Sequence, residues 1–586
     1  MHPGRYVQTH LRLNIALHGK ASSSTVLRVR QTAPVLGVVL LIGLFSMPIV
    51  LGLIGTLIPA LGYMPGLTTG HGFAALFSDP RFFNATVLSV QTGLSATALV
   101  LLLTILALVS LHNTRLWLWL GASMPPLLAV PHAAIAVGLV FLIAPSGALV
   151  RLVSPQLTGW ERPPDSWIIP DACGYTLILG LVIKETPFLI LMAAAHLQQV
   201  NVDGALKIGR SLGYSPARCW SRLILPILYP RIRLALMIIL AFNLTVVDMA
   251  LLLGPSNPPT LSVLLMSLVN DPESRAVASA GAIVLALLVA VCFIAMHLLS
   301  VAVAAVARVR RRNGERGSGS RMFRRIGAGI TIATLVLSIG ALVVLLIWSV
   351  TRRWRFPDPY PSAWTLGNWS SGSSTLIEAG STTLFIALAV ALGSMVSAIA
   401  WLELERLGYA PRIDKWWFVP LLIPQVSLLF GWQAMAYWMG YDGMWLTVVY
   451  THWLYSLPYV VLILAVAWRE LDPGWSHAAH TLGAGYWRVL FRIRLPILVK
   501  PVCQASAVAI AVSVAQYLPT LLLGGGRYQT LAVELVTSFG GVDRRMIAAI
   551  AVLQSVLPLI AFTLALLYPR WLGVRKRGSQ AITSTD

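Results

Sequence analysis

Apolar runs long enough to cross a bilayer recur along the whole chain, and one polar segment between such runs occurs twice. Ser211-Leu212-Gly213, Arg218, Arg222 and Leu225-Pro226-Ile227-Leu228 return as Thr481-Leu482-Gly483, Arg488, Arg492 and Leu495-Pro496-Ile497-Leu498. The two glycines are 483 − 213 = 270 residues apart. At the same shift Leu251-Leu252-Leu253-Gly254 recurs as Leu521-Leu522-Leu523-Gly524, and Thr260-Leu261, Val263 and Leu265 recur as Thr530-Leu531, Val533 and Leu535. Apolar low complexity does not place Gly, Pro and Arg in constant register, so a membrane unit of half the chain's length has been duplicated.

The fold class follows from the runs themselves. Stretches of about 20 apolar residues match a hydrocarbon core of roughly 30 Å as helices, whereas barrel strands would read as short alternating segments. Of 586 residues 57% are hydrophobic and 11% charged, far from the roughly one quarter charged in soluble domains. The expected architecture is all-α and polytopic, with about twelve transmembrane helices. They are expected near 33–58, 85–110, 120–144, 173–195, 232–254 and 277–306, then 326–350, 380–402, 416–438, 444–467, 502–523 and 546–568.

The formal charge of +22 sits between apolar spans, which points to topology and anionic lipid and not to nucleic acid. No GxxxxGK[ST] loop is present, since Lys20 lacks both the upstream glycine and the following hydroxyl residue, so ATP binding by that motif is excluded. Cys173, Cys219, Cys292 and Cys503 have no CxxC spacing and indicate neither a disulfide framework nor a metal site. The run starting near Ala33, behind Arg5, Arg12, Lys20, Arg28 and Arg30, is too long for a signal-peptide core and reads as a retained first span.

Six spans precede and six follow a segment rich in Arg, Gly and Ser, from Arg308 to Arg325. The expected layout is a cytoplasmic arm at 1–32, a first membrane domain at 33–306, a cytoplasmic linker at 307–325, a second membrane domain at 326–568 and a tail at 569–586. The positive-inside rule puts the linker, both termini and both repeated loops in the cytoplasm. Arg352, Arg353 and Arg355 oppose that rule locally. The outer segments 62–84, 146–171, 255–275, 351–379 and 524–545 are too short for a sizeable domain, so capture of a scarce solute falls to another protein. Both halves run the same way through the membrane, which makes the repeat parallel with its pseudo-two-fold axis along the membrane normal.

The doubled loop resembles the EAA motif, E-A-A-x3-G-x9-I-x-L-P, of permease subunits in binding-protein-dependent ABC importers. The second copy reads His477-Ala478-Ala479 with Gly483, Ile493, Leu495 and Pro496; the first reads Lys207-Ile208-Gly209 with Gly213, Leu223, Leu225 and Pro226. Both lack the motif's glutamate. Two six-span halves in one chain look like the iron(III)- and thiamine-type permeases of type I architecture. The resemblance implies an inner-membrane subunit without catalytic activity, cofactor or metal, moving a solute of the iron(III), thiamine or polyamine class. It also implies two cytoplasmic ABC ATPase subunits and a periplasmic binding protein as partners.

Each loop is then expected to couple to an ATPase through Gly213, Arg218, Arg222, Leu225 and Pro226 in the first copy, and through Ala478, Ala479, Gly483, Arg488, Arg492, Leu495 and Pro496 in the second. The glycines allow a left-handed residue at a helix end. The residue before each proline is expected to leave the helical region and make a hinge there. Arginines four apart share a helical face, where acidic partner groups or lipid phosphates are within reach.

Pro131-His132 precedes Gly138 as Pro424-Gln425 precedes Gly431, which predicts two bent, closely packed spans. A charge at mid-membrane costs about 2.5 to 3.5 kcal/mol, so polar residues inside spans mark a cavity or a partner. His132, Asn243, Asp248, Gln425, Gln516 and Tyr517 are the candidate translocation pathway. Lys184 and Glu185, being adjacent, are expected to point to different faces. The tryptophans of the second half, such as Trp416, Trp438 and Trp445, read as interfacial anchors. A proton-coupled secondary transporter working through Lys184, Glu185 and Asp248 is the alternative, but it has no use for two matching loops. A membrane enzyme lacks any HExxH or converging constellation in this sequence.

Overall fold

A computed structural model describes residues 23–63, 72–165, 169, 171–312, 321–541 and 543–583. Residues 1–22 of the basic arm, 313–320 of the linker and the last three of the tail lie outside the described residues.

The chain is a helical membrane bundle. Among the described residues ten helices are long and apolar enough to cross a bilayer, and two bent pairs raise the count to 12. In order the spans are Ala33–Ala60, Pro80–Leu111, His132–Val153, Tyr175–Leu197, Pro216–Thr245 and Pro272–Val309, then Arg324–Ser349, Ser373–Arg406, Trp416–Leu422 with Gln425–Met439, Trp445–Glu470, Tyr486–Ile497 with Val499–Ala515, and Arg544–Leu572. Helices win because hydrocarbon offers the backbone no hydrogen-bond partner, so each segment must satisfy its own amides. Short polar caps set the ends: Asp79 accepts from the Arg81 amide, Thr114 from Trp117 and Asp472 from Gly474. The strands found among the described residues, Thr351–Arg353 and Ala363–Trp364, form one antiparallel hairpin between the seventh and eighth spans.

The duplication is visible in hydrogen bonds as well as letters. The Leu261 amide donates to Ser89 Oγ at 2.7 Å, and the Leu531 amide, 270 residues on, donates to Thr383 Oγ1 at 2.9 Å. The fourth and tenth spans occupy equivalent places at the centre, each with an internal proline, Pro187 and Pro458.

The halves interlock. The first span packs on the ninth, where the Trp432 indole donates to the Pro48 carbonyl at 2.6 Å and Thr56 Oγ1 donates to the Ser427 carbonyl at 2.8 Å. A Cβ on Gly431 would stand 1.8 Å from the Gly52 carbonyl oxygen. The seventh span packs reciprocally on the third, where a Cβ on Gly138 would stand 2.7 Å from the Ala341 carbonyl oxygen. Each half thus lends its first span to the other, with small residues permitting backbone approach.

Four expected spans prove to be broken, 416–438 among them, which is Trp416–Leu422 and Gln425–Met439 bent by 92°. The run 120–144 is two helices, Arg115–Ala129 and His132–Ile143, parted at Val130-Pro131. The run 232–254 stops at Thr245 and resumes at Asp248, and 502–523 stops at Ala515 and resumes at Leu518.

Candidate functional site: two interior breaks and two polar loops

The interior breaks fall at equivalent positions. Val246 and Val247 have φ/ψ of −59/137 and −109/−53; Gln516 and Tyr517, 270 residues later, have −73/110 and −94/−62. Non-helical backbone at membrane depth is tolerated only where protein or a cavity covers it, and both breaks open on one cavity of about 280 Å³. The proline breaks at 130–131 and 423–424 open on it too.

The two halves contribute unlike chemistry. Charged lining comes from the first half: His132, Lys184, Glu185 and Asp248. The amide and phenol groups, Gln425, Tyr455, Tyr459, Gln516 and Tyr517, come from the second, while apolar lining, Phe188 and Phe242 included, comes from both. Lys184 donates to the carbonyls of Leu127, Leu128 and Val130, using its ammonium to satisfy acceptors that the proline break strips of helical partners. Glu185 meets His132 Nε2 at 3.0 Å. Tyr459 and Tyr517 of the second half line the same space as Glu185 and Asp248 of the first.

Five of the six pathway candidates, His132, Asp248, Gln425, Gln516 and Tyr517, therefore line one space, and Gln425 approaches Gln516 at 3.5 Å. Asn243 is not among the lining residues; its amide donates to Thr97 Oγ1 at 3.1 Å between helices. Lys184 and Glu185, expected on different faces, both border the cavity, because the break at Val130-Pro131 brings carbonyls to the lysine. Sequence reading missed His452, which is buried and bridges Ser513 Oγ and Thr520 Oγ1, both at 2.9 Å.

Each polar loop is a short helix, a left-handed glycine, and a second helix running into a span. Val202–Ser211 ends with Gly213 at φ +82, and Pro473–Thr481 ends with Gly483 at φ +80. The Tyr214 amide reaches the Gly209 carbonyl and the Gly213 amide reaches Arg210; Ala484 and Gly483 do the same to Ala479 and His480. These paired bonds are the Schellman arrangement, which needs the positive φ that glycine adopts without strain.

The hinge expected at Leu225-Pro226 and Leu495-Pro496 is absent. Leu225 and Leu495 are helical, at φ/ψ of −59/−38 and −60/−40. A π-helical turn, Trp220–Ile224 or Leu490–Arg494, precedes each proline, and the leucine amides bond back to the Trp220 and Leu490 carbonyls. The wider turn moves the carbonyl that the proline ring would strike, so the helix continues. The bend in the second copy comes later, at Leu498, and measures 79°.

The loops rest on different foundations. Under the second, Glu403 is 3% exposed and pairs with Arg494, with Arg406 at 2.8 Å, and accepts from Tyr486 Oη at 3.0 Å and the Trp468 indole at 3.1 Å. Arg494 also donates to Ser476 Oγ at 2.9 Å. Under the first, the positions 270 earlier are Ile224 and Leu206, both apolar and buried. His112 packs there on Trp220 at 5.4 Å, and burial lowers its imidazole pKa against the opposing pull of Asp203.

Of the coupling candidates, Arg222 turns back on its own loop, with its guanidinium 5.2 Å from the Tyr214 ring, while Ala478, Arg488 and Arg492 are exposed, Ala479 is buried and Arg218 is half-buried. Leu212, at 57% exposure, and its counterpart Leu482, at 87%, project at the tips, and Ile208, at 63%, is exposed on the first loop's short helix. The two leucines stand beside the motif glycines, a signal present in the repeat itself.

Comparison with known proteins agrees with this geometry. Residues 410–572 match the family model described as the binding-protein-dependent transport system inner membrane component. The chain is 32% identical over 518 residues to the inner membrane ABC transporter permease protein YnjC of Escherichia coli K12, covering 88% of this chain and 93% of that one. It is 26% identical over 268 residues to a putative 2-aminoethylphosphonate transport system permease protein, PhnV, of Salmonella choleraesuis, covering 42% of this chain and 96% of the relative. It is 24% identical over 300 residues to the thiamine transport system permease protein ThiP of Salmonella typhimurium, covering 49% and 53%.

Proposed function

We propose that this chain, which belongs to the inner-membrane permeases of binding-protein-dependent ABC transporters, moves a small cationic solute through the cavity between its halves. Separate ATPase subunits supply the energy through the loops at Gly213 and Gly483. The observation that carries the reading is the symmetry: two equivalent loops stand at the start of spans that end in two equivalent breaks, and both breaks open on one shared space.

The mechanism is mechanical. Two ATPase subunits closing on ATP draw the loops together, and the span that follows each loop, bent at Leu498 in the second copy, transmits that displacement to the break at Val246-Val247 or Gln516-Tyr517. The cavity then alternates between the two sides. No covalent step occurs in this chain. The domains run 33–306 and 326–568, and the termini, linker and loops lie in the cytoplasm, where their arginines satisfy the positive-inside rule. A periplasmic binding protein delivers the solute to the outer face.

The cationic character rests on the lining. Against one ammonium, Lys184, held by backbone carbonyls, the lining sets two carboxylates, Glu185 and Asp248, together with the rings of Tyr455, Tyr459 and Tyr517. Carboxylate and ring faces together favour a cation. Thiamine, for which one relative is named, carries a cationic nitrogen, and iron(III) and polyamines fit the same charge logic.

The test is uptake by cells expressing the full transporter with Gly213→Asp and Gly483→Asp together. Uptake should vanish while the chain still inserts in the membrane. Undiminished uptake rejects the coupling role, and uptake that stops with a protonophore but survives ATP depletion favours the proton-coupled alternative.

A further inference from the structure

We infer that the two loops are unequal, the second being the main anchor for the ATPase and the first a weaker contact. This rests on the coupling role proposed above and adds to it an asymmetry that neither the repeat nor a two-fold mechanism requires.

The first line of argument is surface chemistry. On the second loop Trp487 is 67% exposed and Phe491 59%, and their rings lie parallel 6.0 Å apart, one helical turn from each other. Trp475 stands exposed on the preceding helix, and Leu482 projects from the tip. The positions 270 earlier are Ala217, Ser221, Ala205 and Leu212. Only the leucine is shared. Large rigid aromatic groups that fill a pocket dominate binding energy, while Ala and Ser at the same places add little. The partner that fits is a cleft with an apolar floor, and Arg488 and Arg492, exposed beside the ridge, suit an acidic rim.

The second line is rigidity. The anchoring of Arg494 by Glu403 and Ser476, with Tyr486 and Trp468 on the same carboxylate, ties the second loop to the eighth and tenth spans. A surface held in its binding conformation loses less entropy on docking. Under the first loop Ile224 and Leu206 offer non-directional packing, and its tie to the end of the second span, Asn113 Nδ2 donating to Asp203 Oδ1 at 2.6 Å, is exposed to water, so small rotations are freer there than on a buried network of hydrogen bonds.

The experiment measures binding of the transporter's purified ATPase subunit to the full chain in lipid nanodiscs. Trp487→Ala with Phe491→Ala should weaken binding about tenfold or more, whereas Ile208→Ala with Leu212→Ala should change it less than about threefold. The gain-of-function pair Ala217→Trp with Ser221→Phe should tighten the first loop's contact, which guards against a variant that merely misfolds. Equal losses from the two loops, or a larger loss from the first, overturn the inference and leave the coupling role standing. No loss from either loop overturns the coupling role itself. Unchanged ATPase binding with reduced quenching of tryptophan by bilayer lipid assigns the ridge to the membrane surface and also overturns the inference.

Discussion

Gly431 lies directly against Gly52: a Cβ on the former would come within 1.8 Å of the latter's carbonyl oxygen. Because the obstacle is backbone on a long helix, no side-chain rotation relieves it. Gly431→Ala should destabilise the protein by about 3 kcal/mol, the upper end for overpacking, and Gly138→Ala, at 2.7 Å from the Ala341 carbonyl, by less. Gly43→Ala, with no atom within 4 Å, is the control. Thermal unfolding in detergent measures all three, and a Gly431→Ala protein as stable as the control refutes the contact.

Glu403 and Arg494 are a buried pair whose members depend on each other. Glu403→Ala alone should cost about 3–5 kcal/mol, because it leaves a guanidinium buried without its counter-charge. Arg494→Ile, which installs the residue found at Ile224 in the first loop, should recover most of that loss when combined with Glu403→Ala. A double-mutant cycle with additive effects would show that the pair is uncoupled.

The left-handed glycines make a finer test than aspartate. Gly483→Ala meets no atom within 4 Å, so its effect is confined to backbone strain of roughly 1 kcal/mol at φ +80. Uptake should fall while folding and insertion persist. Gly485→Ala, two residues on at φ −68 and equally unobstructed, should leave uptake unchanged. Equal effects of the two alanines would remove any special role for the turn.

Asp248 and Asn243 separate the cavity from the packing around it. Asp248→Asn should reduce uptake of a cationic solute about tenfold with little change in stability, one decade corresponding to about 1.4 kcal/mol. Asn243→Ala removes an interhelical hydrogen bond worth about 0.6 kcal/mol and should leave uptake near normal. The reverse ordering, measured with labelled thiamine or spermidine, would show that Asp248 is not the solute's counter-charge.

Much of this protein was legible as text. Hydropathy locates the spans because a helix must bury about 20 residues in lipid wherever it occurs, and the repeat locates the loops because Gly213 and Gly483 answer a local backbone requirement. The helix breaks were harder to see. Pro226 and Pro496 promised hinges, but a π-helical turn absorbs each ring; the helix runs on past Pro226, and in the second copy it bends only at Leu498. Val246-Val247 and Gln516-Tyr517 carry no Gly or Pro of their own, yet interrupt their helices.

What the amino-acid order determined by itself is therefore everything that depends on neighbours along the chain: helical spans, their duplication, and left-handed turns at two glycines. What the tertiary structure alone decided is which surfaces meet. The exchange of first spans between halves, the gathering of Lys184, Glu185 and Asp248 with Tyr459 and Tyr517 round one cavity, and the ionic base under one loop where the other is apolar all join residues far apart in sequence. Such pairings arise from packing between helices, and in lipid every helix is apolar enough to pack on many others. Shape and small residues make the choice, and these act only when the whole bundle is assembled.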